Sequence, residues 1–148
     1  MESWQTHEVD NIYPLLENYN LYTTDVVLQD IIQRQQADWS VAELSRMGAE
    51  LGTSEVFERG RLANTYPPVL KTFSRTGHRI DQVDFHPAWH DTLRHVMAEG
   101  VHTAPWASPR AGAHTARAAA MYLFTQSEAG SMCPTTMTYG VIPTLARD

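Results

Sequence analysis

The sequence is poor in several residue types that small proteins commonly use for chemistry. Cys133 is the one cysteine in 148 residues, which excludes an intrachain disulfide and a thiolate metal cluster. Nothing therefore points to an oxidising compartment, and the cytoplasm is the expected location. Lysine occurs only at Lys71 and the formal net charge is −6. With no basic run to release counterions from phosphates, this segment is not expected to bind nucleic acid. No hydrophobic run reaches membrane-spanning length. The opening MESWQTHEVD carries acids where a secretion signal needs a basic end and an apolar stretch. G-x-G-x-x-G, G-K-[ST] and G-x-S-x-G are all missing, which excludes a Rossmann half, a P-loop and a nucleophile elbow. No internal repeat or low-complexity tract is present.

What remains is a chain with 43% hydrophobic residues, enough to build one core over residues 1–148. Residues 1–22 mix Trp4, Tyr13, Tyr19 and Tyr22 with Asn and Pro14 but lack a helical period, and read as an extended arm that packs on something. Residues 25–36 place Val27, Leu28, Ile31 and Ile32 on one helical stripe. Ser40 and Glu43 are spaced as a capping box, Trp39 and Leu44 as a hydrophobic staple, and Gly52 as a stop. Leu44, Met47 and Leu51 form the buried stripe of that helix. A third helix spans 54–64, with Val56, Phe57, Gly60 and Ala63 inward and Pro67-Pro68 ending it.

Alternation then replaces helical periodicity. Val69, Lys71 and Phe73, a turn through Gly77, and Val83 and Phe85 predict one β-hairpin over about 69–85. His86 and Pro87 open a fourth helix with Trp89, Leu93, Val96 and Met97 on one face and Gly100 closing it. Residues 101–110 read as a loop. The longest helix is expected over 111–129, its centre built from Ala116, Ala118, Ala119 and Ala120, with Gly130 as its end. A last helix starts near Pro134 and carries Gly140 and Pro143. Met137, Val141 and Leu145 continue its stripe to the end without a glycine stop, which predicts a chain cut mid-helix. The fold class is therefore mainly α with one hairpin.

Three groups could carry chemistry. His86 and His90 lie four apart, as metal ligands on a helix do, but no third ligand accompanies them, and His86 is better explained as an N-cap. Cys133 stands at a helix start, where a thiol pKa falls, yet neither His102 nor His114 is placed beside it as a base. The tract Thr135, Thr136, Met137 and Thr138 gathers hydroxyls and apolar groups at the start of the last helix. It reads either as capping by Ser131 or Thr135 plus core packing, or as the wall of a small amphipathic pocket.

The segments WQTHEV, LENYNLYTTD, LGTSEVFERGRLANTYPP, DFHPAWH, VHTAPW and EAGSMCPTTMTYG, in that order, resemble the N-terminal region of the AidB-like branch of the acyl-CoA dehydrogenase family over essentially the whole chain. The resemblance implies an N-terminal helical domain of a flavoprotein whose β-domain and C-terminal helical bundle are absent here. FAD would be held by those absent parts and not by this domain alone. The parent would be a homotetramer acting on an acyl thioester, linked to alkylation damage, with any DNA contact in its C-terminal domain. By the same resemblance Thr135, Thr136, Met137 and Thr138 line the acyl pocket, while no catalytic residue and no metal ligand is carried over. The competing reading is a free-standing helical interaction module without catalysis.

Overall fold

The computed structural model describes residue 4 and residues 6–147. Part of the expected arm, residues 1–3 and 5, and the terminal Asp148 lie outside the described residues. The elements are α1 (Val26–Arg34), a 3-10 turn (Asp38–Ser40), α2 (Val41–Leu51), α3 (Ser54–Thr65), β1 (Val69–Phe73), β2 (Arg79–Asp84), α4 (Pro87–Ala98), α5 (Ala104–Ala107), α6 (Ala113–Ser127) and α7 (Met132–Leu145). The mainly helical class and the single hairpin are as expected. No helix among the described residues is long and apolar enough to cross a membrane.

Helix α6 is the organising element. It touches α1, α2, α3, α5 and α7, and its buried face is Ala116, Ala119, Ala120, Leu123 and Phe124. Methyl side chains at its centre let α2 come close, so Leu44, Met47 and Leu51 bury against it as their spacing predicts. Ile32, Val96 and Val101 complete the centre of the core. Helix α3 approaches the end of α6 so closely that a Cβ at Gly60 would lie 2.2 Å from the Ser127 carbonyl oxygen.

Several expected faces are narrower than their apolar patterns. In α1 only Leu28 and Ile32 are buried, whereas Val27 and Ile31 face outward, because a single row of side chains meets α6. In α4 the buried row is Ala88, Thr92 and Val96, with Met97 exposed. Residues 6–20 carry no helix or strand, and Trp4 and Tyr13 pack on nothing among the described residues, being 93% and 84% exposed. Packing begins at Tyr19 and is complete at Leu21 and Tyr22. Residues 101–110 are not all loop, since Ala104–Ala107 forms one helical turn with Pro105 near its start. The strands pair antiparallel with Val69 opposite Asp84 and an irregularity between Lys71 and Phe73. Val69, Leu70, Phe73, Ile80 and Val83 are all exposed on this hairpin.

The capping box at Ser40 does not form. The 3-10 turn runs straight into α2, so Ser40 already has helical backbone angles and its side chain makes no cap bond. Its hydroxyl instead donates backward to the Ala37 carbonyl at 2.6 Å, and Glu43 is drawn to Arg46. Trp39 is tied to the start of α6: its indole N–H donates to the Ala111 carbonyl at 2.9 Å and the Arg110 guanidinium lies 3.1 Å over its ring. Ser40→Ala should therefore cost only about 1 kcal/mol, the net worth of one neutral hydrogen bond. The Ala37 carbonyl keeps the Ser40 backbone N–H as partner. Urea denaturation would check this, and a loss well beyond about 2 kcal/mol would show that the hydroxyl has a larger role.

Candidate functional site

Between α6 and α7 the chain turns through Glu128, Ala129, Gly130 and Ser131. Glu128 is buried with an extended backbone. Its carboxylate accepts from the Gly130 N–H at 2.6 Å, the Ser131 N–H at 2.8 Å and the Asn64 side-chain amide at 3.2 Å. Burial by itself would push the carboxyl pKa up, but the bonds from Ser131, Asn64 and Gly130 outweigh it and hold the group below its ordinary value. A carboxylate at this place also faces the positive end of α7. The expected caps are not used: Ser131 makes no side-chain cap bond, and Thr135 donates to the Ser131 carbonyl. Gly130 lies two residues beyond the C-cap of α6 and belongs to this turn.

Helix α7 starts at Met132, with Cys133 and Pro134 inside its first turn. At about 100° per residue, four consecutive side chains encircle a helix, and the structure separates Thr135, Thr136, Met137 and Thr138 accordingly. Thr135 is buried against the α6–α7 turn. The Thr136 hydroxyl accepts from an Arg117 Nη at 3.2 Å. Met137 is 70% exposed, and the Thr138 hydroxyl donates back to the Pro134 carbonyl at 3.1 Å. The outward row is Met137, Val141 and Leu145, all exposed.

Beside Thr136 lies a cluster that sequence reasoning missed. The Arg117 guanidinium is 3.9 Å over the Tyr139 ring and its Nε donates to the Val101 carbonyl at 2.9 Å. Burial lowers the Arg117 pKa from its ordinary value, opposed by Tyr139. His114 Nδ1 and the Tyr139 hydroxyl are 2.6 Å apart, and the Trp106 indole N–H donates to the Tyr139 carbonyl at 3.0 Å. These contacts join α5, α6 and α7. Their residues are 33 positions apart at most, between Trp106 and Tyr139, but no local spacing rule links them.

His86 does cap α4, its Nδ1 accepting from the Ala88 N–H at 3.2 Å while the ring stacks on Tyr66. His90 is exposed and packs edge-on to Phe85 and Trp89. Among the described residues no third ligating side chain joins this pair. Cys133 is exposed, and His114 is engaged with Tyr139.

Glu50, His95 and Glu99 are the group whose ligating atoms do converge, within 4.8 Å of one another. Arg46 bonds both carboxylates, at 2.7 Å to Glu50 and 2.6 Å to Glu99. His95 Nδ1 accepts from Arg59 at 3.0 Å, which leaves its protonated Nε2 facing the acids. Burial lowers the His95 pKa, Arg59 adds to this, and Glu99 and Glu50 oppose it. A cation would have to displace Arg46 and find a lone pair where His95 presents a proton. The cluster is thus an ion-pair tie between α2, α3 and the end of α4.

The chain matches the model of the adaptive response protein AidB N-terminal domain over residues 11–148. It is 45% identical over 143 residues to the Escherichia coli (strain K12) protein AidB, named as a candidate acyl-CoA dehydrogenase, covering 96% of this chain and 26% of that protein. Bd2924 in its apo-form superposes with a TM-score of 0.80 at 25% identity, over 92% of this chain and 28% of that one. Caenorhabditis elegans ACDH-11, solved in complex with C11-CoA, shares the fold with a TM-score of 0.80 at 24% identity, over 97% of this chain and 25% of its own length. The chain thus spans about a quarter of the length of the relatives it matches.

Proposed function

Because the chain belongs to the family of AidB N-terminal domains, we propose that it is the helical scaffold of an FAD-dependent acyl-CoA dehydrogenase-like parent and that α7 contributes to the wall of the parent's acyl pocket. The 45% identity over 96% of the chain supports the first part. The exposed row of Met137, Val141 and Leu145 beside the Thr136 hydroxyl supports the second, because an amphipathic wall must offer apolar surface with a few placed polar groups. Thr138 shares the outward side, while Thr135 supports the wall from beneath.

The start of α7 is not open to the phosphates of a flavin dinucleotide. A dinucleotide's phosphates favour free N–H groups at a helix start, and at the opening of α7 the Gly130 and Ser131 N–H groups are already taken by Glu128. In this reading FAD is held by the β-domain and C-terminal bundle of the parent. The base and the flavin that would take the α-proton and hydride of an acyl thioester are not supplied by this chain. In this reading the parent is a cytoplasmic homotetramer, and any contact with DNA lies outside a segment whose net charge is −6.

Two measurements test the proposal. The 148-residue chain purified alone should show no flavin absorbance; a stoichiometric flavin would overturn the division of labour. In the complete parent, Met137→Trp should weaken binding of an acyl thioester at least about tenfold, about 1.4 kcal/mol, with flavin content unchanged. Unaltered ligand affinity would remove α7 from the pocket.

A further inference from the structure

A recess of about 430 Å³ opens between α2, α5 and α6, within the size range of small-molecule sites. Its floor is Leu44, Met47 and Val101. Gly100, Ala104, Ala113, Ala116 and Ala120 contribute only short side chains to its sides, which leaves apolar room for a ring system. None of Thr135, Thr136, Met137 and Thr138 lines it; it adjoins the proposed acyl wall through Arg117, which lines the slot and bonds Thr136.

Two acids and two arginines line the slot, and they differ in their partners. Its acids, Glu43 and Glu99, are both bonded to Arg46. Its arginines, Arg110 and Arg117, make no ion pair among the described residues. Arg110 is held over the Trp39 ring, whose own indole N–H is fixed to Ala111, and its guanidinium makes no hydrogen bond among the described residues. A planar guanidinium with free donors, steadied on an aromatic face, is a ready partner for a carboxylate. We infer that this recess binds an aromatic monocarboxylate, its rings in the recess beside α5 and its carboxylate on Arg110, with Arg117 adding positive charge.

The probe is 2-naphthoate, titrated into the chain and followed through the Trp39 indole N–H resonance and by calorimetry. Saturable binding is expected, with the uncharged 2-naphthalenemethanol at least fivefold weaker. Arg110→Gln should weaken naphthoate at least fivefold, and Ala116→Leu, which fills the slot, should abolish binding. Ala104→Leu narrows the same slot from an exposed position and serves if Ala116→Leu fails to fold; it should weaken naphthoate by a comparable factor. Absence of saturable binding, equal affinity for acid and alcohol, or unaltered binding by Arg110→Gln or by the folded leucine variant would each overturn the assignment.

Discussion

Gly52→Ala is expected to destabilise the chain by about 3 kcal/mol or more, at or beyond the upper end of ordinary overpacking. The backbone angles at Gly52 are ordinary, with φ −81°, so the cause is space. A Cβ there would lie 1.7 Å from the Tyr19 carbonyl oxygen and 2.9 Å from its carbon, a backbone group that cannot swing aside like a side chain. The Gly52 carbonyl in turn accepts from the Asn18 N–H at 2.6 Å and the Tyr19 N–H at 3.3 Å. Pushing the segment away would lose these bonds and begin to lift Leu21 and Tyr22 out of the core. Thermal unfolding followed by circular dichroism should show a drop of about 10 °C. A shift under about 3 °C would mean that the arm yields at little cost and that its docking is loose.

Glu128→Ala should cost about 3 kcal/mol, since a charged acceptor is lost and buried donors are left without it. Its pH behaviour separates charge from packing. The folded-state pKa of Glu128 is depressed, so its contribution is fully present above the unfolded glutamate value of about 4.3 and is lost as the pH falls through the folded-state value. Glu128→Gln keeps the shape without the charge. The stability gap between the parent sequence and this variant should therefore be widest near neutral pH and narrow below about pH 4. A gap that stays constant down to about pH 2 would show that the carboxylate's charge is not what secures the turn before α7.

Glutamate before A-G-S ahead of an apolar helix can be noticed in a sequence, but its role cannot be assigned there. The carboxylate could equally have been a solvated end to α6. Burial beside Asn64, 64 positions away, makes it the anchor of the next helix. The same limitation explains Ser40 and Glu43. Their spacing is that of a capping box, yet a 3-10 turn upstream delivers Ser40 already helical, and Arg46 outcompetes the backbone for Glu43. Arg117, Tyr139, His114 and Trp106 converge through the packing of three helices and leave no periodic trace. Thr135, Thr136, Met137 and Thr138 are contiguous in sequence, but a helix must turn contiguous residues to different sides.

Local chemistry determined a good deal without the fold. Apolar spacing placed α1 through α4, the Ala-rich α6 and the apolar α7 to within a few residues, alternation around Gly77 placed the hairpin, and His86 before Pro87 identified a cap that the structure contains. These features depend on interactions within about one helical turn or across one tight turn, and such interactions are written directly in residue order. The tertiary structure alone decided which row of each apolar stripe is buried, why Gly52 cannot carry a side chain, and how Glu128 secures α7. It also decided that two arginines flank an apolar slot without acidic partners. Each of these depends on distances between segments far apart in the chain, which are set only when α6 collects the other helices around itself.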